Sequence, residues 1–393
     1  MGEVAQRLNV LPLSPVSIVV AGTNGKGSVV ATLESVYRNA GYSVGCYTSP
    51  HLLRYNERVR INGSDISDET LCDAFSRVEN ARGDLQLTYF EFGTLATAVI
   101  FASYSLDVVI LEVGLGGRLD AVNIFDADAA IVTNIDLDHM EWLGSDREQI
   151  GYEKAGVFRS GKPAICGDPN PPESVIAAAR ESGAELYIQD KDFSLQCVAD
   201  SCEFRAHNLI WANLPVVSLA GKHQRLNVAT SLMVVAVLQK QLPVSEAQAA
   251  SAIASVNIPG RFQRLRVAPE IIVDVAHNPQ AIVALSELCI ARPAKGRTLA
   301  VVGMMQDKAI RKCLATMAPL IHQWYLASLP PPRGASSGNL EESLHAVDPA
   351  AVYQRFDEVE LALQSALSDA LPEDRILCFG SFVTVGAIMR RQS

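Results

Sequence analysis

The segment from Gly22 to Ser28 has the composition of a phosphate-binding loop. It reads Gly-Thr-Asn-Gly-Lys-Gly-Ser and lies between a β-branched run at 16–21 and a helical pattern at 29–40. Glycines let backbone N–H groups converge on phosphate oxygens, the helix N-terminus adds partial positive charge, and Lys26 adds a full positive charge. The order strand, loop, helix therefore predicts a nucleotide-binding loop rather than a simple glycine-rich turn with an exposed lysine.

Two departures from the common phosphate-loop pattern narrow the class of protein. In G-x-x-x-x-G-K-[ST] the first glycine would fall at Val20, and the residue after the lysine is Gly27, with the hydroxyl delayed to Ser28. These departures disfavour a GTPase or a simple kinase. A rival glycine-rich stretch at 112–120 has Leu119 in place of the third glycine of a dinucleotide fingerprint, which disfavours an NAD site.

Acidic residues and one histidine stand at the ends of two further apolar runs. Glu112 ends the run 107–113, and the segment 133–139 carries Asp136, Asp138 and His139 after the run 129–135. Ligands bind at the carboxyl ends of parallel strands, and a carboxylate beside a phosphate loop suits Mg²⁺, which prefers oxygen ligands. We therefore expect a magnesium site there, although Glu112 is also suited to capping the following turn. By composition alone, Lys154 reads as a surface lysine.

Short apolar strands alternate with helical stretches along the whole chain, which predicts an α/β fold. Both faces of such strands are apolar, as in a parallel sheet covered by helices. Turns and short strands at 185–216 indicate a small β-rich appendage, and the sequence Asn-Ile-Pro-Gly at 257–260 interrupts the alternation. We place one domain at 1–258 and a second at 261–393. Strands are predicted at 16–21, 44–48, 107–113, 129–135, 271–275, 299–302, 324–327 and 376–379, and helices at 29–40 and 95–104.

Composition limits the possible partners and the compartment. Lys plus Arg number 33 and Asp plus Glu 43 in 393 residues, giving a net charge of −10, which argues against a nucleic-acid partner. No apolar run approaches the roughly 20 residues of a membrane span, and no secretion signal is evident. The eight cysteines form no C-x-x-C pair, so we expect reduced thiols in a cytoplasmic protein.

The motifs taken together resemble one family of the Mur ligase superfamily, the bifunctional dihydrofolate synthase/folylpolyglutamate synthases. The resemblance covers nearly the whole chain, and its motifs follow the family's order. They are A-G-T-N-G-K-G-S (21–28), T-S-P-H-L (48–52), N-E-R-V-R-I-N-G (56–63), L-T-Y-F-E (87–91), E-V-G-L-G-G-R-L-D-A-V-N (112–123), L-D-H (137–139), E-K-A-G (153–156), H-Q-R-L-N (223–227), P-G-R-F-Q (259–263), D-V-A-H-N-P (274–279), G-M-M-Q-D-K (303–308) and G-S-F (380–382).

This resemblance implies a Mur ligase-like fold, with an N-terminal P-loop-type ATPase domain on a parallel sheet and a smaller Rossmann-like glutamate-ligase domain. It implies a monomeric enzyme that uses ATP, two Mg²⁺ ions and L-glutamate. The acceptors are dihydropteroate, giving dihydrofolate, and tetrahydrofolates, giving polyglutamates. A substrate carboxylate takes the γ-phosphoryl group of ATP, and the amine of glutamate then attacks the acyl phosphate.

The resemblance also assigns the site residues. Lys26, Lys154 and His277 are expected to act in catalysis, and Lys154 matches a lysine that the family carbamylates with CO₂. The metal ligands are Ser49, Glu112 and His139. The nucleotide is held by Gly22, Thr23, Asn24, Gly25, Lys26, Gly27, Ser28, Asn227, Arg261, Asp274 and His277. The pterin substrate is held by Thr88, Tyr89, Phe90, Glu91, Leu119, Asp120 and Ala121.

Two alternatives stay open at this stage. One is a monofunctional folylpolyglutamate synthase without the dihydropteroate activity, against which the intact 87–91 and 118–120 motifs count. The other is a non-catalytic nucleotide-binding module, which loss of Lys26, Glu112 or His139 would have favoured; all three are present.

Overall fold

A computed structural model describes residues 1–13, 16–207, 209–217 and 221–392. The chain divides into two compact units, the first built mainly from residues up to Asn257 and the second mainly from Ile258 onward. Each unit has a largely parallel sheet with helices packed on it, so the predicted α/β fold class is confirmed.

The first unit contains an eight-stranded sheet in the order β4-β3-β2-β5-β1-β6-β7-β8. All neighbours are parallel except at β3, which runs antiparallel to β2 and β4. The strands are β1 (Val16–Ala21), β2 (Val44–Tyr47), β3 (Val59–Ile61), β4 (Ser64–Asp65), β5 (Val108–Glu112), β6 (Ala129–Val132), β7 (Pro163–Cys166) and β8 (Glu185–Ile188). Every residue of β1, β5 and β6 is buried, as the two-sided apolar pattern predicted.

Nine α-helices accompany this sheet among the described residues. They are α1 (Gly2–Leu8), α2 (Lys26–Asn39), α3 (Asp68–Arg82), α4 (Tyr89–Ala102), α5 (Met140–Leu143), α6 (Arg147–Ala155), α7 (Glu173–Ser182), α8 (Lys222–Val237) and α9 (Glu246–Ser255). Short 3₁₀ turns span Tyr55–Arg58 and Ala121–Ile124. Helix α2 begins three residues before the predicted start, which places Lys26 in its first turn. Helix α4 begins six residues earlier than predicted, because Thr88 and Glu91 form a capping box at its N-terminus.

The predicted β-rich appendage is a three-stranded antiparallel sheet of β9 (Phe193–Val198), β10 (Ser201–Ala206) and β11 (Leu209–Pro215). The start of the predicted region, 185–188, instead forms β8 of the main sheet. The expectation of eight reduced cysteines is wrong for one pair, since Cys197 and Cys202 form a disulfide. These two residues face each other across the β9–β10 hairpin, so a spacing that is not C-x-x-C still brings the sulfurs together.

The second unit contains a six-stranded sheet in the order β12-β13-β17-β14-β15-β16, parallel except for β12 at its edge. The strands are β12 (Gln263–Val267), β13 (Glu270–Asp274), β14 (Thr298–Val302), β15 (Gln323–Ala327), β16 (Tyr353–Phe356) and β17 (Arg375–Phe379). The helices are α10 (Pro279–Ala291), α11 (Ile310–Met317), α12 (Ser337–His345), α13 (Val359–Asp369) and α14 (Phe382–Gln392), with a 3₁₀ turn at Ala318–Leu320.

Within the described part of the chain, no helix has both the length and the apolar character that crossing a bilayer requires.

Candidate active site

The loop between β1 and α2 has the backbone shape of an anion-binding turn. Gly22 and Gly25 have φ angles of +139° and +87°, where a side chain is strained. A Cβ atom at Gly22 would lie 1.8 Å from the Thr133 hydroxyl, and one at Gly25 would lie 2.4 Å from Asn227 Oδ1. Glycine is therefore required at both positions, for its conformation and for the close approach of neighbouring chain.

Residues that follow β6 hold this loop in place. The backbone N–H of Asn24 donates to Asn134 Oδ1 at 2.8 Å, and the hydroxyl of Thr133 donates to the carbonyl of Asn24 at 2.6 Å. The Thr23 hydroxyl donates to the Asp136 carbonyl at 3.1 Å. The sequence predicted metal binding for the 133–139 segment, and this supporting role was not predicted. The signal in the sequence that could have indicated this role is the group of polar residues directly after the buried strand β6.

Two side chains in the loop are suited to binding a phosphate group and its metal ion. Lys26 Nζ folds back onto the carbonyls of Gly22 and Thr23, at 2.9 and 3.2 Å, which holds its charge at the mouth of the loop. The Ser28 hydroxyl is buried and has no hydrogen-bond partner among the described residues. A buried hydroxyl without a partner is costly unless a ligand satisfies it, so the loop fits a nucleotide with its cation.

The predicted metal ligands lie along one edge of the first sheet. Ser49 follows β2, and its backbone N–H donates to Glu112 Oε2 at 3.2 Å. Glu112 is the last residue of β5, next to β1 and the phosphate loop. His139 begins α5 after β6, the strand on the other side of β1, with a left-handed backbone at φ +51°. The structure thus brings Ser49 and Glu112 together, with His139 on the far side of the loop.

The side chains of the described residues do not form a metal site by themselves. Among the described residues, no group of three or more His, Cys, Asp or Glu side chains is placed to hold an ion. Bound ions would therefore draw further ligands from phosphate oxygens or water, as Mg²⁺ commonly does.

Lys154 is not the surface lysine that composition suggested. It lies near the end of α6 with 4% of its surface exposed, and Nζ donates to the Gly22 carbonyl at 3.0 Å. Burial, reinforced by the charge of Lys26, lowers the pKa of the Lys154 amine from 10.5 to about 7. A substantial fraction of the Lys154 amine is therefore neutral at physiological pH, and the neutral amine is the form that reacts with CO₂.

The predicted pterin residues lie on two segments of the first unit. Thr88 and Glu91 cap α4, with the Thr88 N–H donating to Glu91 Oε2 at 2.8 Å, so one Glu91 oxygen is already engaged. Phe90 packs against Tyr47, with ring centroids 5.9 Å apart. Tyr89 is 66% exposed and remains available for stacking.

The second pterin segment is the turn that follows β5. Asp120 caps the 3₁₀ turn that starts at Ala121, and its two oxygens accept the N–H groups of Leu115 and Val122, both at 2.9 Å. Burial raises the pKa of this carboxyl. Leu119 is 79% exposed, which makes it an apolar surface beside Asp120.

Asn227, on α8, reaches the phosphate loop from the side. Its buried Nδ2 donates to Gln224 Oε1 at 3.0 Å, while its amide oxygen lies against Gly25. Asn227 is thus built into the loop's surroundings within the first unit.

The remaining predicted nucleotide residues belong to the second unit, where they form a cluster. Asp274 ends β13, and its oxygens accept the N–H groups of Phe262 and Ala276, both at 2.8 Å. Burial raises the pKa of the Asp274 carboxyl, against the opposing effect of Arg261. The His277 ring contacts the carbonyl of Val275 through Nδ1 at 2.8 Å.

Phe382 is the common neighbour of this cluster. The Arg261 guanidinium lies 5.6 Å from the centre of its ring, and the His277 ring lies 6.3 Å from it. No role was predicted for the G-S-F motif at 380–382, and the structure places its aromatic ring beside both residues.

Comparison with known proteins places this architecture in a class. A model of the Mur ligase middle domain matches residues 20–235, and a model of the Mur ligase, glutamate ligase domain matches residues 260–382. The dihydrofolate synthase/folylpolyglutamate synthase of Escherichia coli K12 is 46% identical over 386 residues, covering 98% of this chain and 89% of that protein.

Solved structures agree with the sequence comparison. Escherichia coli FolC in complex with DHPP and ADP matches with a TM-score of 0.93 and 46% identity, covering 100% of this chain and 93% of that one. The bifunctional folylpolyglutamate synthase/dihydrofolate synthase of Yersinia pestis, complexed with AMPPNP and Mn ion, matches with a TM-score of 0.90 and 44% identity, covering 99% of this chain and 92% of that one. The two-unit fold and its phosphate loop therefore define a ligase of the Mur superfamily. Within that superfamily, the chain belongs to the dihydrofolate synthase/folylpolyglutamate synthase family.

Proposed function

We propose that this protein joins L-glutamate to the carboxyl group of dihydropteroate and to that of reduced folates, with ATP as the energy source. The observation that carries the proposal is the phosphate loop, whose buried Ser28 hydroxyl and Lys26 ammonium lie on the same sheet edge as the Ser49–Glu112 contact. Family membership supplies the substrate class.

The reaction activates a carboxylate that is otherwise a poor acyl donor. A carboxylate oxygen attacks the γ-phosphorus of ATP, the bond to the β-phosphate oxygen breaks, and ADP leaves. The amine of glutamate then attacks the acyl carbon, the bond to the phosphate oxygen breaks, and phosphate leaves as the amine loses a proton. Negative charge spreads over the transferred phosphoryl group, so positioned cations and N–H donors lower the barrier.

The loop residues position the triphosphate for this transfer. Lys26 supplies charge, and the loop N–H groups from Thr23 to Ser28 supply donors. Ser49, Glu112 and His139 would hold two Mg²⁺ ions, which neutralise phosphate charge when bound. Asn227 contributes from beside the loop.

The second unit is proposed to complete nucleotide binding and to serve glutamate ligation. Arg261, Asp274 and His277 are the residues we assign to ATP. Arg261 carries the charge, and Asp274 shapes the backbone at Phe262 and Ala276 by accepting their N–H groups. We propose that residues 1–258 form a domain that binds ATP and the pterin, and that residues 261–393 form a glutamate-ligase domain.

We assign the pterin to the surface between the start of α4 and the turn after β5. Its residues are Thr88, Tyr89, Phe90, Glu91, Leu119, Asp120 and Ala121. The carboxylates of Asp120 and Glu91 suit the N–H and amino donors of a pterin ring, and the exposed faces of Tyr89 and Leu119 suit its apolar surface.

We also propose that Lys154 is carbamylated. The ammonium first loses a proton. The neutral amine then attacks CO₂, an N–C bond forms as a C–O π bond breaks, and a second proton leaves the nitrogen, so that a buried cation becomes a buried anion. The position beside Gly22 and the lowered pKa support this step.

ATP as a substrate supports a cytoplasmic location, as do the six cysteines that form no disulfide.

The test is turnover by the purified protein. With ATP, Mg²⁺, L-glutamate and dihydropteroate it should release phosphate and form dihydrofolate, and with tetrahydrofolate it should form polyglutamates. Activity with tetrahydrofolate alone would establish a monofunctional folylpolyglutamate synthase. If no product forms with dihydropteroate and none forms with tetrahydrofolate, the proposal is refuted.

A further inference from the structure

Arg58 is a buried cation with which no carboxylate of the described residues forms an ion pair. It ends the 3₁₀ turn before β3 with 8% of its surface exposed, and its Nε donates to His51 Nδ1 at 3.0 Å. Among the described residues no carboxylate lies within ion-pair distance of it. The adjacent Glu57 instead accepts backbone N–H groups at 2.7 Å from residues 52, 53 and 54. Burying a charge in this way is costly unless something else compensates for it.

Two tyrosine rings compensate only in part. The Arg58 guanidinium lies 5.1 Å from the centre of the Tyr55 ring and 5.7 Å from that of Tyr89. Such contacts stabilise the faces of a guanidinium. They leave its in-plane donors unused, and within the described chain neither Nη1 nor Nη2 makes a hydrogen bond. Since Tyr89 is 66% exposed, these donors lie beside an open surface.

This surface adjoins the proposed pterin site. Tyr89 is the first residue of α4, next to Phe90 and within the capping box that includes Glu91. Strand β3 lies two strands away from β5, which ends at Glu112, so the two ends are separated by about 10 Å across the sheet. In pteroate, a benzene ring and a methylene-amine link separate the reacting carboxylate from the pterin. For a substrate whose carboxylate lies near Glu112, Arg58 is therefore within reach of the pterin ring.

We propose that Arg58 binds the O4/N5 edge of the pterin ring and so helps to determine substrate specificity. This inference rests on the proposed function. Pterin O4 and N5 are adjacent acceptors arranged like O6 and N7 of guanine, an edge that arginine binds through two parallel hydrogen bonds. Asp120 suits the opposite, donor-bearing edge. His51, which accepts from Nε, leaves the two terminal nitrogens to make these bonds.

The oxidation state of the pterin matters in this arrangement. In a 7,8-dihydropterin, N5 is an imine nitrogen with a lone pair in the ring plane. In tetrahydrofolates, N5 carries hydrogen or a one-carbon group, so only O4 accepts in the same geometry. Arg58 therefore contributes more to dihydropteroate binding than to tetrahydrofolate binding.

The experiment pairs a change in the protein with a change in the ligand. Affinities of pteroate and 5-deazapteroate, in which N5 is replaced by C–H, are measured for the wild type, Arg58→Met and Arg58→Lys. The wild type should bind pteroate about 10-fold or more tightly than the deaza compound. Arg58→Met should bind the two equally, and Arg58→Lys should lose most of the discrimination because an ammonium cannot form the paired contact.

Matched measurements keep the result interpretable. Arg54→Met, which removes an exposed arginine paired with Asp68 from the same turn, should discriminate like the wild type. ATP affinity should be unchanged in every variant, and Arg58→Lys decides the question if Arg58→Met does not fold. Wild-type discrimination in both Arg58 variants would overturn the inference. If the wild type forms product but the Arg58 variants discriminate as it does, only the proposed Arg58 contact is wrong. If the wild type forms no product with either acceptor, the proposed function itself is wrong.

Discussion

Replacing Lys154 with methionine should stabilise the protein at neutral pH and change how its stability depends on pH. Lys154 is buried beside the Gly22 carbonyl, and its pKa falls from 10.5 to about 7 on folding. Between these values the unfolded chain binds more protons at this site than the folded chain does. The free energy of unfolding of the wild type therefore rises with pH across this window. The charged amine is costly to bury, and this cost disappears as the folded protein loses the proton.

The magnitude follows from the size of the shift. A fall of the pKa from 10.5 to about 7 corresponds to about 5 kcal/mol at most, since one pKa unit is about 1.4 kcal/mol. Between pH 7 and pH 9, this group should add about 2 kcal/mol to the free energy of unfolding of the wild type. Methionine has similar length and no charge, so the variant should lack this increment. Its advantage over the wild type should therefore be larger at pH 7 than at pH 9.

Urea denaturation of both proteins at several pH values tests this expectation. Buffers should be free of CO₂ and divalent metals, so that the unmodified amine is measured. Lys162→Met, which removes a half-exposed lysine paired with Asp128, is the control and should show no comparable pH-dependent gain. A wild-type-to-Lys154→Met difference that stays constant from pH 7 to pH 9 would refute the reasoning, because it would mean that the amine keeps its ordinary pKa.

Three further substitutions test the nucleotide and metal assignments. Lys26→Ala should abolish turnover while circular dichroism shows an intact fold, since this lysine contributes charge rather than core packing; retained turnover would contradict its role. Gly25→Ala should weaken ATP binding at least 10-fold in a calorimetric titration, because its Cβ would lie 2.4 Å from Asn227 Oδ1 at a φ of +87°; wild-type affinity would contradict the required loop shape. Glu112→Gln should weaken the Mg²⁺ dependence of turnover and cost several kcal/mol of transition-state stabilisation, and an unchanged Mg²⁺ titration would exclude Glu112 as a ligand.

The elements that position the phosphates were predictable from sequence because their signals are local. A run rich in β-branched residues becomes β1, and Gly22 and Gly25 after it have the positive φ angles that only glycine adopts easily. The strand prediction at 129–135 ended three residues too late, because the chain leaves the sheet after Val132 to hold the phosphate loop. That departure depends on a partner over 100 residues away in sequence.

Other features depend on tertiary contacts that a linear pattern does not contain. Lys154 looked exposed by composition, and only its packing against the phosphate loop lowers its pKa. Cys197 and Cys202 become partners only because the β9–β10 hairpin pairs them. In the sequence Arg58 is one charged residue within a motif, and only the structure shows that it forms no ion pair with a carboxylate of the described residues.

The central claim is that the substrate carboxylate is activated by direct transfer of the γ-phosphoryl group. Dihydropteroate labelled with ¹⁸O in its carboxylate, turned over with ATP, Mg²⁺ and L-glutamate, tests this claim most directly. If the γ-phosphoryl group is transferred directly, the released phosphate carries one labelled oxygen, because the acyl carbon–oxygen bond breaks when glutamate attacks. Dihydrofolate formation accompanied by unlabelled phosphate, or by AMP and pyrophosphate, would contradict it.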